Sequence, residues 1–531
     1  MPSPTLSAAG RFLRTYPLTI VAFAGGIAGL AWFPRWLADD AFILFRYADN
    51  LARHGQLTFN PGQTPVEGYT GILYPLLLAA LRLPGIPADV AGPWLLPLST
   101  LGGALFLVWI FNLLTAGEIV RGGCVLLYFS YPLIYLHSAS GMETMLFTTA
   151  MLAAIYSFLR LFSDRGKFRH REAYFAAALL ILGLARPEGV AFAAFLFCAA
   201  LATYRKLGRA TQPLWKRVLL FFILPGAAYF VWRFSYYGHL LPNTFYAKRH
   251  AAGWNPAVWL NLQSFFFEFL FLPAGGILLG AAFLIAGRQS RPETPVASRE
   301  SGLSLAAAAA AMLLFAATLI LTYARAELWM NFFFRFWMPL LPPVIALLGV
   351  TLGRAFSGLG RSPERASIRR FLLPAFAAVI LGGQLVLNLQ AFPVEVRYAR
   401  DYALLHEEEH RPAGRYLRDQ LRPDQTVAVF IDAGRIPYYA DRPAIDFGGL
   451  NDPFLPFSPR DAQTLREYFF RRQPAAVAAT SFAWDHLAGL AEFMPIAADA
   501  RFQSYRLVEK FRSRSPITWY LFIYRREEPV E

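Results

Sequence analysis

The sequence predicts an α-helical polytopic membrane protein with a C-terminal α/β domain. Of its 531 residues, 56% are hydrophobic and only 16% are charged, whereas soluble chains have about a quarter of their residues charged. The charge is also unevenly spread, because residues 1–392 carry a net charge of +16 and residues 393–531 carry −1. We therefore expect a transmembrane domain over 1–392 and a soluble domain over 393–531.

Eleven apolar segments approach the length of about 20 residues that a helix needs to cross a membrane. They are 16–34, 91–115, 122–138, 143–162, 173–186, 189–204, 218–237, 257–287, 302–323, 335–353 and 371–392. The segment 71–81 is also apolar, but it is short and contains Pro75. It fits an interfacial or re-entrant helix better than a span.

Basic residues indicate which ends of the spans face the cytoplasm, where short loops collect Lys and Arg. Four connecting loops are basic: 163–172, 205–217, 288–300 and 354–370. All four fall on the cytoplasmic side if the N-terminus is inside and 71–81 does not cross. This topology predicts eleven spans, with the soluble domain on the extracytoplasmic side.

The acidic residues of the membrane part gather on the predicted outer side. Asp39 and Asp40 follow the first span and begin an amphipathic stretch that contains Arg46, which predicts a helix along the membrane interface. An acidic pair at a helix start can cap the helix and favour its dipole. Alternatively, one of the two carboxylates is a general base, and both roles can hold at once.

Three further outer segments contain candidate residues. Glu67 and Tyr69 follow an Asn-Pro-Gly turn, and Glu67 is either a solvated loop acid or a substrate contact. Glu143 lies in a tight hairpin between spans, where it either begins a helix or faces the same cavity as the aspartates. Arg186 and Glu188 either pair with each other at a structural corner or take part in the site.

Cationic and polar residues in two more outer segments fit a phosphate-linked lipid. The stretch 239–250 contains Asn243, Tyr246 and Lys248, and a second cluster contains Arg325, Glu327, Asn331 and Arg335. An Arg at the start of a span can hold a phosphate through two hydrogen bonds. Basic residues at this depth also commonly extend to lipid headgroups, so that alternative stays open.

Several function classes are excluded by what the sequence lacks. There is no Gly-rich phosphate loop, no His-Glu-x-x-His motif and no nucleophile elbow. The two cysteines, Cys124 and Cys198, lie in apolar segments and provide no metal site. The excess positive charge lies between apolar runs, so it indicates membrane topology, and we expect no nucleic-acid partner.

The outer motifs, taken in order, resemble those of the GT-C membrane glycosyltransferases. They are Asp-Asp-Ala-Phe-Ile, Asn-Pro-Gly with Val-Glu-Gly-Tyr-Thr, Gly-Met-Glu-Thr, Ala-Arg-Pro-Glu-Gly and Pro-Asn-Thr-Phe-Tyr-Ala-Lys. The similarity covers residues 36–250, with a weaker Arg-Phe-Trp-Met-Pro beginning at Arg335. It is strongest to the branch that holds the terminal arabinofuranosyltransferase of mycobacterial cell walls.

The resemblance implies an outward-facing active site and a sugar donor carried on polyprenyl phosphate. The acid that follows the first span in this family matches Asp39, with Asp40 beside it, and the second acid matches Glu143. Lys248, Arg335 and Arg186 are the best matches for groups that contact the donor phosphate. Some relatives also bind a divalent metal ion through these acids, so a metal stays open here.

On this basis we expect an inverting transfer of the sugar to a cell-envelope glycan, a lipid-linked acceptor or another acceptor. Asp39 is the expected general base toward the acceptor hydroxyl, and cations stabilise the departing lipid phosphate. The alternatives are a transporter or flippase and a non-catalytic envelope assembly factor on the same scaffold. A transporter would need ionisable groups at mid-membrane, whereas the acids here gather at one face.

The tail predicts a small α/β domain. Apolar runs over 426–431, 475–479, 504–508 and 519–524 predict strands, and segments near 402–421 and 461–472 predict helices. Two loops, 432–439 and 446–452, are rich in turn residues. They are either structural or cover the cavity and select the acceptor.

Overall fold

The computed structural model of the chain describes residues 15–114, 117–163, 170–248, 254–288, 296–326, 331–359, 366–430 and 432–527. A bundle of helices forms the first part, and a domain built on a five-stranded sheet follows it. The predicted fold class is confirmed.

Each of the eleven predicted apolar segments contains a helix. The α-helices of the membrane part are Pro17–Trp32, Asp39–His54, Leu73–Arg82, Ala88–Leu113, Glu118–Ser130, Pro132–Ala139, Thr144–Arg160, Arg171–Ala185, Pro187–Lys206, Gln212–Val218, Leu224–Tyr237, Asn243–Ala247, Pro256–Phe265, Phe271–Arg288, Val296–Tyr323, Leu341–Leu359 and Ala366–Glu408. Two π-helical turns, Leu219–Ile223 and Phe266–Leu270, continue the helices around them, and two 3₁₀ turns are Phe332–Phe334 and Met338–Leu340.

Among the described residues, seven helices are long and apolar enough to cross a membrane. An eighth is counted if Glu118–Ser130 and Pro132–Ala139, which meet at an angle of 57°, form one broken span. Pro132 begins the second half of this pair, where a proline ring is tolerated and the preceding helix ends. The chain is thus a multi-pass membrane protein, and the number of eleven crossings stays a prediction.

The predicted interfacial helix is Asp39–His54, and most of its side chains from Asp39 to Asn50 are buried. It packs against the short helix Leu73–Arg82 and against a helix of the C-terminal domain. At ten residues, Leu73–Arg82 is about 15 Å long, which is half of a membrane span. The prediction that an aspartate caps the interfacial helix is wrong: its N-cap residue is Ala38, with no capping side chain.

The C-terminal domain begins on a helix that it shares with the membrane part. Helix Ala366–Glu408 runs without a break through the predicted boundary at residues 392 and 393. The other helices and helical turns of the domain are His410–Gln420, Arg435–Ala440, Leu455–Phe457, Ala462–Arg472, Met494–Ala497 and Ala500–Ser504. The domain is therefore joined to the bundle by one helix, in which Pro393, at the predicted boundary, has no backbone N–H to donate.

The sheet of the C-terminal domain is mixed, with strand order β2-β1-β3-β5-β4. Its strands are β1 (Val427–Val429), β2 (Ala444–Asp446), β3 (Ala476–Ser481), β4 (Tyr505–Arg512) and β5 (Tyr520–Arg526). Strand β1 pairs in parallel with β2 and β3, whereas β5 is antiparallel to β3 and β4. All four predicted strands are present, and β2 is a strand that the sequence did not predict.

Candidate active site

A small cavity lies where the ends of several helices meet the C-terminal domain. Its volume is about 20 Å³, which is room for about one water molecule. It is lined by Asp40, Ile43, Leu44, Gly68, Tyr69, Thr70, Met142, Glu143, Thr244, Lys248, Arg335 and Leu450. Five of the predicted site residues, from five separate segments, thus meet at one place: Asp40, Tyr69, Glu143, Lys248 and Arg335.

Arg335 lies between the two acids of the cavity. Its Nη1 atom is 3.8 Å from Asp40 Oδ2, and its Nη2 atom is 3.4 Å from Glu143 Oε1. Arg186 donates a second hydrogen bond to Glu143 Oε1, from Nη1 at 3.1 Å. Glu143 is therefore a buried carboxylate held between two guanidinium groups. Their positive charges compensate the negative charge of the buried carboxylate.

Arg186 also makes the corner that the sequence suggested. Its Nη2 atom is 3.1 Å from Glu188 Oε1, and it donates a hydrogen bond of 3.1 Å to the hydroxyl of Tyr323. The Tyr323 hydroxyl in turn donates to Glu188. Both alternatives for this pair hold together, because Arg186 is paired with Glu188 and also contacts Glu143 of the cavity.

Lys248 provides a second cation at the cavity wall. Burial lowers the pKa of its ammonium group to about 8, because a buried charge loses its hydration and because Arg335 and Arg186 repel it. The carboxylates of Asp40 and Glu143 oppose this shift. A lysine with this pKa changes charge close to neutral pH, unlike the arginines around it.

Asp39 does not line the cavity. Its carboxylate accepts hydrogen bonds from the backbone N–H groups of Gly434 (2.7 Å) and Arg435 (2.8 Å), at the start of helix Arg435–Ala440. A side chain at Gly434 would collide with the backbone, since a Cβ there would lie 1.8 Å from the Asp39 carbonyl oxygen. Adjacent residues of a helix point about 100° apart, so Asp39 faces the C-terminal domain whereas Asp40 lines the cavity. Which of the two is the base stays a prediction.

The surroundings of Asp39 are strongly polar. Burial, together with repulsion by Asp432, raises the pKa of Asp39 to about 7. Attraction to His410 and the hydrogen bond from the Arg435 N–H oppose that rise. Asp39 thus acts as a cap for a helix of the C-terminal domain, and it connects that domain to the interfacial helix.

Three other predicted substrate contacts also join the two domains. Arg46 donates from Nε to the Phe59 carbonyl (2.7 Å) and from Nη2 to the Arg442 carbonyl (2.7 Å). Asn243 donates from Nδ2 to the Asp452 carbonyl at 2.8 Å. The ring of Tyr246 lies 5.0 Å from that of Phe457. None of the three lines the cavity.

These contacts place a loop of the C-terminal domain over the cavity. The amide of Asn243 also donates to the carbonyls of Gly449 and Leu450, each at 3.3 Å, and Leu450 is a lining residue. Gly68 approaches the same loop so closely that a Cβ would lie 1.8 Å from Asn451 Oδ1. The loop 446–452 is therefore one wall of the cavity.

Glu67 is not a solvated loop acid, and its alternative role as a substrate contact stays a prediction. Its carboxylate is buried and paired with Arg233, whose Nε donates to Glu67 Oε1 at 2.9 Å. Tyr69 does line the cavity, and its hydroxyl lies 3.2 Å from that of Tyr237. Arg233 was missed, although an arginine near the end of the apolar run 218–237 is itself a sign of a buried ion pair.

The turn that presents Arg335 is a second feature that the sequence did not reveal. Phe333 and Phe334 have positive φ angles of 50° and 55°, a conformation that non-glycine residues rarely adopt. His137 Nε2 lies 2.9 Å from the Phe333 carbonyl oxygen, and Asn331 Oδ1 accepts the Phe336 N–H at 2.9 Å. These bonds hold a strained backbone directly before Arg335.

The acids of the cavity do not fit a divalent metal ion. Among the residues that the structure describes, no group of three or more His, Cys, Asp or Glu side chains could hold one. The two cavity acids are separated by Arg335, so a cation between them would displace a guanidinium group. Of the remaining predicted cluster, Glu327 lies outside the described residues.

The chain is similar to known proteins in sequence and in fold. A family model described as a domain of unknown function, DUF8728, matches residues 397–524. A terminal β-(1→2)-arabinofuranosyltransferase of Mycobacterium tuberculosis is 29% identical over 251 residues, which are 44% of this chain. The matched region spans only 38% of that relative's length.

The fold also matches solved structures over almost the whole chain. ArnT from Cupriavidus metallidurans, in the apo state, aligns with a TM-score of 0.61 and 13% identity over 97% of this chain and 98% of that one. The oligosaccharyltransferase AglB from Archaeoglobus fulgidus aligns with a TM-score of 0.53 and 11% identity, over 96% and 74%. The chain therefore has the GT-C fold of membrane glycosyltransferases, as its motifs indicate.

Proposed function

We propose that the protein is a glycosyltransferase that moves a sugar from a polyprenyl-phosphate donor to an acceptor hydroxyl at the outer face of the membrane. The observation that carries the proposal is the cavity in which Asp40, Glu143, Lys248 and Arg335 meet. The named activity of the mycobacterial relative supports the sugar transfer. An ArnT structure bound to undecaprenyl phosphate, with a TM-score of 0.58, supports the donor class.

In this proposal Asp40 is the general base. Its carboxylate lines the cavity, whereas both oxygens of Asp39 already accept backbone hydrogen bonds. Asp40 takes the proton of the acceptor hydroxyl, and the acceptor oxygen attacks the anomeric carbon of the sugar. The bond from that carbon to the phosphate oxygen breaks, and the polyprenyl phosphate leaves. A single displacement of this kind inverts the anomeric centre.

Cations beside Asp40 suit the leaving group. Arg335 and Lys248 both line the cavity, so either can approach a donor phosphate. Positive groups fixed in a buried site stabilise the negative charge that grows on the departing phosphate. Glu143 keeps Arg335 in place through the 3.4 Å contact, and Arg186 supports Glu143 from the other side.

A sugar does not fit in a cavity of about 20 Å³. We infer that donor binding separates the surrounding side chains. Among the lining residues, Leu450 is the one that the C-terminal domain contributes, from a loop outside the helix bundle. The loop 446–452 is therefore the segment expected to adapt to the acceptor.

The outer location of the site is supported by the one basic loop that the structure describes completely. Arg205 and Lys206 end helix Pro187–Lys206, and Arg209 lies in the loop before the helical segment Gln212–Tyr237. The opposite ends of these two helices reach Arg186 and the Glu67–Arg233 pair, which lie near the site. Basic loops favour the cytoplasm, so the site and the C-terminal domain are proposed to lie outside.

The test uses the full chain in lipid nanodiscs with a panel of polyprenyl-phosphate sugars, beginning with arabinofuranose. Transfer to oligosaccharide acceptors and release of polyprenyl phosphate are both measured. We expect Asp40→Asn to reduce kcat by about 10²–10⁴, the usual contribution of a general base. The matched control is Asp49→Asn on the same helix, since Asp49 pairs with Arg53 and Arg82 outside the cavity.

Asp49→Asn is expected to keep most of the activity of the native chain. Full activity in Asp40→Asn would refute the role of Asp40. Release of polyprenyl phosphate that requires an acceptor would support a direct displacement.

A further inference from the structure

The hairpin between β4 and β5 extends along the long helix Ala366–Glu408 toward the membrane. Arg514 Nε donates to Glu408 Oε1 at 2.8 Å, and the next residue, Ser515, donates from Oγ to the Asp401 carbonyl at 2.8 Å. Asp401 lies seven residues before Glu408, which is about 10 Å closer to the apolar part of the helix. The hairpin loop, residues 513–519, therefore descends toward the bundle.

The level that the loop reaches is marked by Trp32. Trp32 is the last residue of the apolar helix Pro17–Trp32, it is 61% exposed, and its ring stacks on Phe392. The guanidinium group of Arg400 lies 6.0 Å from the centre of the Trp32 ring. Tryptophan and arginine pairs of this kind are typical of the membrane–water interface. Asp401 follows Arg400 directly, so the loop reaches that same level.

The residues around the hairpin loop have the chemistry of that interface. Trp519 and Trp484 are exposed by 38% and 37% although both are large and apolar. The Trp484 ring lies 5.5 Å from that of Tyr520. Lys510 and Arg512 each place a cationic group 5.4 Å from the centre of the Trp484 ring. Exposed indoles beside cations bind phospholipid headgroups through both apolar and charged contacts.

We propose that this hairpin tip, residues 515–519 together with Trp484, docks into the headgroup region of the phospholipid bilayer. The bilayer is favoured as the partner because the tip continues an exposed apolar stripe on the long helix, where Val394 is 66% exposed and Tyr398 41%. The contact gives the C-terminal domain a second attachment to the membrane part, in addition to the Asp39 cap. It is independent of the proposed catalytic activity.

The experiment places a fluorescent label on the tip of the full chain. The exposed native thiol is removed with Cys198→Ser, and Cys124 is buried. Thr518→Cys, at an exposed position, is labelled with bimane in nanodiscs of phosphatidylcholine and phosphatidylglycerol. The matched control is Gln503→Cys, an exposed residue of the turn Ala500–Ser504 next to the opposite end of β4.

The label at position 518 is expected to lose fluorescence when lipids with a nitroxide on the headgroup are included, and to be protected from aqueous iodide. The label at 503 is expected to behave in the opposite way. Equal iodide quenching at the two positions would overturn the proposal. Protection from iodide without nitroxide quenching would also overturn it, because it would indicate a protein partner instead of lipid.

A second variant tests whether the aromatic side chain makes the contact. Trp519→Glu in the Thr518→Cys chain replaces an exposed indole with a carboxylate, so it leaves the core of the domain unchanged. We expect a loss of most of the nitroxide quenching at position 518. Unchanged quenching would contradict the role assigned to Trp519.

Discussion

Asp39 and Asp40 are adjacent in the sequence, yet the structure gives them separate roles that mutation can distinguish. Asp39→Ala removes the acceptor of two backbone hydrogen bonds, of 2.7 and 2.8 Å, from Gly434 and Arg435. Leaving one buried N–H without an acceptor costs about 1–3 kcal/mol. We therefore expect the contact between the domains to weaken by about 2–4 kcal/mol, allowing for partial access of water to the two groups.

The assay for this prediction combines stability and activity. Thermal unfolding of the purified protein, together with limited proteolysis of the C-terminal domain, measures the loss of stability in Asp39→Ala. Asp39→Asn keeps one acceptor and leaves one N–H unpaired, so it is expected to lose about 1–3 kcal/mol, less than Asp39→Ala, and to retain kcat per folded molecule. Asp40→Asn should show the reverse pattern, with native stability and little activity.

The reasoning would be refuted by an Asp39→Asn variant that unfolds at the native temperature but has lost transfer activity. That result would identify Asp39 as the base. It would also mean that the two backbone hydrogen bonds open during turnover, which would require the C-terminal domain to move away from the interfacial helix.

Three further predictions follow from the same contacts. The pKa of Asp39 is raised from 3.8 to about 7, so the folded state holds this proton more tightly than the unfolded state does. The contribution of Asp39 to stability should therefore be greatest below about pH 4 and decline as the pH rises to about 7. Melting temperatures measured over this pH range should show that the decline is absent in Asp39→Asn. Because the pKa of Lys248 is about 8, the KM for the donor should rise above that pH as the ammonium group loses its proton. In Lys248→Arg the KM should stay constant up to pH 9. A KM that does not change with pH in the native chain would contradict a phosphate contact. His137→Leu removes the hydrogen bond to the strained Phe333 carbonyl and should raise the KM for the donor. His137→Gln, whose amide can still donate, should have a KM close to that of the native chain. Equal KM values in the two variants would show that the turn does not position Arg335.

Much of the fold follows from apolar patterns in the sequence, and the exceptions have physical reasons. The apolar segments predicted helices because a run of about 20 apolar residues inside a bilayer has to satisfy its own backbone hydrogen bonds, which a helix does. Strand β2 is only three residues long, too short to give an alternating pattern. The boundary after 392 coincides with a change of composition and with Pro393, yet helix Ala366–Glu408 continues across it. A proline inside a helix removes one hydrogen bond and can bend the helix without ending it.

The candidate site was predictable as a set of segments but not as a set of roles. Sequence order indicated that Asp40, Glu143, Lys248 and Arg335 share one side of the membrane. It could not show which of two adjacent aspartates faces inward, since that depends on the rotation of the helix about its axis. It also could not pair Glu67 with Arg233, because the two residues are 166 positions apart and meet only in the folded bundle.

The participation of Leu450 in the cavity has a consequence for the evolution and engineering of such enzymes. A wall of the reaction chamber is encoded far downstream of the acids that it encloses, and it is held by Asn243 and by the tight fit between Gly68 and Asn451. Exchanging C-terminal domains between relatives would therefore alter the cavity itself. A functional chimera would have to take the helix Asp39–His54 and the segments around Gly68 and Asn243 from the same relative as the C-terminal domain.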